Sequence, residues 1–230
     1  MKFKSHIPNS LTLLNLFSGS LGVIYVLDGK IIWGAYFILL SAFFDFLDGF
    51  AARLLKVQGE LGKQLDSLAD MVSFGLLPGI ILYAMASQTN LPEWIPSLTL
   101  LVPLFSALRL AKFNIDTRQS DQFIGLPTPA SALFISTIPF LAIEWVKLGQ
   151  VLTSGWVLII ISLAISFLLV AELPMIALKF KNFSFNDNVY RYLLIFIGAI
   201  GVIWMGLAGV PLVIFGYIVL SIIENGTKRE

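Results

Sequence analysis

The sequence predicts an all-α fold, a polytopic transmembrane bundle of about eight helical spans. Composition is the first reason: 57% of the 230 residues are hydrophobic and 13% charged, against about 25% charged in a soluble domain. The mean hydropathy of +0.88 is the second. The third is periodic. Apolar runs of about 20 residues, enough to cross a hydrocarbon core of roughly 30 Å, recur along the chain between short polar turns.

The spans are expected near 8–27, 31–55, 61–86, 97–114, 128–146, 155–178, 190–206 and 209–224. The first follows a basic start, "MKFKSH", with no small-residue cleavage site at the right distance, so it reads as a retained helix. The second and third are joined by a short polar segment and must be antiparallel neighbours. "GLLPG" at 75–79, within the third, has the spacing that lets helices of one chain approach closely. Trp33, Trp94, Trp145 and Trp156 fall near the predicted outer ends of spans and read as interfacial anchors. The last two spans are short and share a tight turn at "GLAGVP"; a re-entrant hairpin over 190–224 would leave six spans. One integral membrane domain, 1–230, is expected.

Charge sets the orientation. With both termini inside, all 15 Lys and Arg except Lys30 and Lys147 fall at the inner side. The same reading puts "NFS" at 182 and "NGT" at 225 in the cytoplasm, and they are set aside as glycosylation sites. A net charge of +1 offers no field for nucleic acid, and none is expected as a partner. The absence of Cys excludes disulfides, thiolate metal sites and a Cys nucleophile. The lone His6 is read as a surface or interfacial residue.

The chemistry is expected in residues 45–70, "DFLDGFAARLLKVQGELGKQLDSLAD". At 1.5 Å per residue from Ile31, Asp45 lies about 21 Å along the second span, roughly 9 Å from the inner edge of the core. Asp66 and Asp70 reach a similar depth on the returning span. Asp45 and Asp48 are three apart and Asp66 and Asp70 four apart, so each pair shares a helix face. Gly49 and Ala52 continue the first face, Gly62 stands one turn before Asp66, and Arg53 is at the mouth. Glu60 lies in the connecting segment and reads as solvated. A buried acid costs about 2.5–3.5 kcal/mol on insertion scales, and four on facing helices also repel one another. Two readings account for that cost: a polar ion pathway, or a divalent metal held by hard carboxylate oxygens beside a phosphate.

The same segment, Asp45-x-x-Asp48-Gly49-x-x-Ala52-Arg53, then eight residues, then Gly62-x-x-x-Asp66-x-x-x-Asp70, resembles the signature of the CDP-alcohol phosphotransferases with every defining position filled. "IPNSLTLLNLFSGSLG" at 7–22, "RLAKFN" at 109–114 and "GLPTPA" at 125–130 look like the membrane-embedded phosphatidylserine synthases within that family. Glycerol-phosphate-using relatives often carry Arg near the position of Asn15. The resemblance covers 5–180, which it implies to be a six-span catalytic core, with 190–224 an added C-terminal hairpin.

The resemblance implies a transferase that moves a phosphatidyl group from CDP-diacylglycerol to L-serine and releases CMP. It implies one or two Mg²⁺ or Mn²⁺ ions held by Asp45, Asp48, Asp66 and Asp70, with Asp70 as general base. Asp48, Gly49, Ala52, Arg53 and Gly62 would line the cytidine and diphosphate site. The serine carboxylate calls for a cation, and Arg109, Lys112 and Arg118 are the candidates, with ordinary positive-inside charge or phosphate binding the alternative for each. Lys112 stands where the family often has Arg, keeping charge but losing a bidentate fork. The implied setting is the inner cell membrane, with the site open to the cytoplasmic leaflet and a homodimer as the assembly. Two alternatives remain at this point: another acceptor (glycerol 3-phosphate, an inositol phosphate or choline), and a cation-coupled transporter.

Overall fold

The computed structural model describes residues 2–57, 59–116, 123–176, 184 and 188–227. Its helices are α1 (Lys2–Leu27), α2 (Ile31–Leu55), α3 (Glu60–Asp70), α4 (Leu77–Ser87), α5 (Leu101–Ile115), α6 (Thr128–Glu144), α7 (Val146–Leu152), α8 (Gly155–Val170), α9 (Val189–Met205) and α10 (Val210–Thr227). A π-helical turn, Met71–Leu76, joins α3 to α4. Single 3₁₀ segments, Ile95–Leu100 and Gly206–Gly209, lead into α5 and α10.

Among the described residues, four helical stretches are long and apolar enough to cross a membrane: Lys4–Leu27, Ile31–Leu55, Glu60–Ser87 and Ile95–Ile115. Four shorter apolar helices, within α6, α8, α9 and α10, occupy the remaining expected spans. The architecture is the polytopic helical bundle predicted. Large apolar side chains such as Phe17, Phe43, Phe167 and Trp204 are exposed, which suits a lipid-facing surface. The four Trp read as anchors are exposed as well.

Between lipid-facing helices the hydrophobic effect drives little association, so close backbone approach carries the packing. Gly19 of α1 lies against the π-turn, where a Cβ would sit 2.3 Å from Ser73 Oγ. Gly75 and Gly79, the pair in "GLLPG", both rest on α5, against Ser106 and Pro103. The core they close is apolar, with Ile38, Phe74, Leu77, Ile81, Ile135 and Leu158 fully buried.

Three features depart from the expected spans. α8 stops at Val170, not near 178, because Pro174 cannot continue a helix and forces its predecessor to extend. The chain instead forms a two-residue strand β2 (Pro174–Met175), antiparallel to β1 (Phe123–Ile124), with Phe123 opposite Met175 and Ile124 opposite Pro174. The short α7 was not expected. Finally, the π-turn adds a residue and rotates α4 against α3 by about 100°. α3 thus keeps a distinct polar face while α4 buries Leu77, Ile81 and Leu82.

Candidate active site

α2 ends with Lys56 in the left-handed conformation (φ 54°), whose N–H closes the last turn onto Ala52 and Arg53 carbonyls. The chain reverses and enters α3 through an extended Gly59. That tight return sets the two acid-bearing faces opposite each other. Carboxylate oxygens of Asp45, Asp48 and Asp66 come within 4.8 Å of one another. Asp48 is buried, and its Oδ2 has no hydrogen-bond partner among the described residues. Asp70, one turn deeper on α3, stands outside this trio and is also buried.

Asn15 of α1 reaches Asp70, its Nδ2 donating to Asp70 Oδ1 at 3.4 Å. The Asn15 carbonyl in turn accepts from Ser73 Oγ (3.0 Å) and Ser41 Oγ (3.2 Å), which ties α1 to the π-turn and to α2. Sequence reasoning noted Asn15 only as a family difference. Its signal was available: an amide in the middle of an apolar helix needs partners.

A cavity of about 890 Å³ opens at the end of the bundle where α1, α3 and α6 begin and α2 and α5 finish. This is within the size range of small-ligand sites. Asp45, Asp48, Gly49, Ala52, Arg53, Gly62, Asp66 and Asp70 all line it. A Cβ on Gly49 would meet nothing nearer than Arg53 Nη2 at 3.9 Å, and on Gly62 nothing nearer than Asn9 Oδ1 at 3.5 Å. Unlike Gly19, these two glycines are not demanded by packing. They keep open a volume that a side chain would fill. Glu60 is exposed at the rim.

The opposite wall comes from α5 and α6. Arg109 is 6% exposed, donates from Nη1 to Thr128 Oγ1 at 3.4 Å, and sits over the Phe113 ring. Its Nε is buried without a hydrogen-bond partner among the described residues. Lys63 lines the cavity and donates to the Asn114 carbonyl at 2.9 Å, while Asn114 Nδ2 donates to Ser67 Oγ at 2.9 Å. These bonds bridge α3 to α5. The three candidate cations separate here: Arg109 lines the cavity, Lys112 is exposed and off its wall, and Arg118 lies outside the described residues. The cavity takes the stripe Arg109, Leu110, Phe113, and Lys112 falls about 100° from the centre of that stripe.

Acids outnumber cations on the lining, with four Asp and Glu60 against Arg53, Lys63 and Arg109. The excess, the unpartnered Asp48 Oδ2 and an all-oxygen donor set suit a hard cation. Asp45, Asp48 and Asp66 could hold one metal ion.

Residues 5–178 match the family described as CDP-alcohol phosphatidyltransferase. Among curated proteins, the chain is similar to a CDP-diacylglycerol–serine O-phosphatidyltransferase of Mycobacterium leprae, 34% identical over 176 residues, which is 74% of this chain and 57% of that protein. A protein of the same description from Bacillus subtilis is 35% identical over 136 residues, 59% of this chain and 76% of that protein. An archaetidylserine synthase of Methanothermobacter thermautotrophicus is 36% identical over 134 residues, 57% of this chain and 56% of that protein. The match thus spans little more than half the length of the mycobacterial and archaeal relatives.

Proposed function

The chain belongs to the CDP-alcohol phosphatidyltransferase family, and from that premise we propose that it is a CDP-diacylglycerol–serine O-phosphatidyltransferase. The observation that carries the reading is the convergence of every signature residue on one cavity. The names of all three relatives above include serine, whereas the archaeal one differs in its lipid part. Serine is therefore the acceptor proposed here, with 5–180 as the catalytic core.

Asp45, Asp48 and Asp66, with Asp70 one turn away, would hold Mg²⁺ or Mn²⁺. When bound, a divalent ion supplies Lewis-acid stabilisation of charge on the diphosphate. Gly49, Ala52 and Gly62 leave room for the nucleotide and diphosphate against the helix backbones, and Arg53 offers a fork of donors to phosphate. Asp70 has one oxygen engaged by Asn15. Its other oxygen takes the proton of the serine hydroxyl while the serine oxygen bonds to the lipid-side phosphorus. The phosphorus–oxygen bond to CMP breaks, and CMP carries away the electron pair. Arg109, buried on the far wall, receives the serine carboxylate. Positioning and electrostatics supply most of the acceleration, as in phosphoryl transfer generally.

The depth of the acids fits a lipid headgroup. Arg53 and Lys63 line the cavity, Lys56 and Lys112 lie at the C-terminal ends of α2 and α5 that reach it, and Lys30 and Lys147 lie at helix ends remote from it. Under the positive-inside rule the cavity side is the cytoplasmic face of the cell membrane, with both termini inside.

The test is CMP release from CDP-diacylglycerol by purified protein across an acceptor panel. Release is expected with L-serine and Mg²⁺ or Mn²⁺, and is expected to stop with chelator. Turnover with glycerol 3-phosphate, an inositol phosphate or choline in place of serine would reassign the acceptor. No CMP with any acceptor would overturn the enzymatic reading. An Asp70→Asn protein with full turnover would remove the general-base role. The homodimer implied by the family is checked by the mass of the solubilised protein.

A further inference from the structure

The family match ends at residue 178, yet α10 reaches back to the supports of the cavity. Tyr217, Ser221 and Asn225 are spaced four apart and share one face of α10. Each bonds the backbone around β2. Tyr217 Oη donates to the Ile176 carbonyl at 3.1 Å, Ser221 Oγ accepts from the Ile176 N–H at 3.1 Å, and Asn225 Nδ2 donates to the Pro174 carbonyl.

β2 leads directly to the site. It pairs with β1, and the residues just after β1 are pinned to the end of α8 and the chain that follows it. Gly125 N–H donates to the Leu173 carbonyl and Leu126 N–H to the Leu168 carbonyl, both at 2.9 Å. Gly125 has φ 77°, and a Cβ there would sit 2.6 Å from the Leu169 carbonyl oxygen, so the turn has no slack. Three residues beyond Gly125, Thr128 accepts from Arg109. Tyr217 closes the circuit. It is buried in one apolar cluster with Leu126, Met175 and Ile176.

A ladder of two residues per strand is too short to hold itself in place. Its unpaired backbone groups, shielded from water, are costly unless bonded. α10 supplies those bonds. A contact serving only helix packing has no need to be polar at three successive turns, nor to lead to a buried cation in the cavity.

We propose that α10 is a clamp on the acceptor half of the site. Tyr217, Ser221 and Asn225 hold β2 in register, and through β1 and the Gly125–Thr128 turn they set the position of Arg109. They are positioning residues, since none lines the cavity. The inference rests on the transferase reading above and assigns the C-terminal hairpin a part in acceptor binding.

The experiment measures kcat and separate KM values for L-serine and CDP-diacylglycerol, with thermal unfolding, in Tyr217→Phe, Ser221→Ala and Asn225→Ala proteins. Loss of one such hydrogen bond is expected to raise the serine KM about fivefold. The lipid KM should stay within about twofold of wild type, since the acidic wall is untouched. Phe215→Ala, on the lipid-facing side of the same helix, should change neither KM. The proposal is overturned if the serine KM is unchanged in all three variants. It is equally overturned if both KM values rise together in step with lost thermal stability. Should one variant fail to fold, the other two decide. If wild-type protein uses another alcohol, the serine reading falls, and the same split measured on that alcohol still decides the clamp.

Discussion

On one wall of the cavity, Asp45 and Asp48 lie a turn apart on α2 and Asp66 and Asp70 a turn apart on α3, with a short reversal between the helices. On the other, Arg109 and Thr128 come from α5 and α6, and their supports come from β1, β2 and α10. The acidic wall is made of near neighbours in sequence. The basic wall is assembled from segments up to about a hundred residues apart, so its geometry depends on many remote contacts. A change on the first wall should therefore abolish chemistry locally. A change on the second should move acceptor affinity, and can do so from a distance.

The largest expected effect breaks the acidic wall. Asp66→Asn removes one carboxylate from the trio that could hold metal, and CMP release should fall at least about 10³-fold. The protein should be no less stable to heat, because a like charge leaves a crowded set. Activity within tenfold of wild type would show that the trio is not the metal site.

The second prediction sets the cation on the basic wall, Arg109, against one beside it, Lys112. Arg109→Lys keeps the charge but loses the planar fork, and the serine KM should rise about tenfold with the lipid KM nearly unchanged. Lys112→Ala, off the wall, should leave both within about twofold. The reverse order would mean that Lys112 turns into the site when substrate is bound.

The smallest effect separates two kinds of glycine. Gly19→Ala forces a Cβ onto Ser73, and overpacking of this kind costs about 1–3 kcal/mol; melting temperature should fall while both KM values hold. Gly49→Ala meets no such neighbour. Its melting temperature should hold, while the KM for CDP-diacylglycerol rises a few-fold, because the added methyl takes ligand space. Equal loss of stability in both would remove the distinction.

How much could be read beforehand follows from the same contrast. The acid pairs were legible because three- and four-residue spacings on adjacent helices place side chains without knowledge of the rest of the fold. The partner of Asp70 was not, since Asn15 lies 55 residues away and nothing local in either segment names the other. The end of α8 had a signal in Pro174, but the apolar run to residue 178 outweighed it in a reading by hydropathy. Asn225 was weighed only as a glycosylation motif, whereas its amide bonds the Pro174 carbonyl. The choice of Arg109 over Lys112 depended on which stripe of α5 faces inward, which spacing alone leaves open.

By itself, then, the sequence determined the helical membrane architecture, the paired carboxylates and the family likeness, because each follows from composition or from order within a few turns of chain. Only the tertiary structure decided that Arg109 and not Lys112 lines the cavity, what bonds Asp70, and that α10 is bonded to the strand behind the site. Those depend on long-range contacts, where packing and the pairing of buried backbone groups choose among partners that local sequence treats alike.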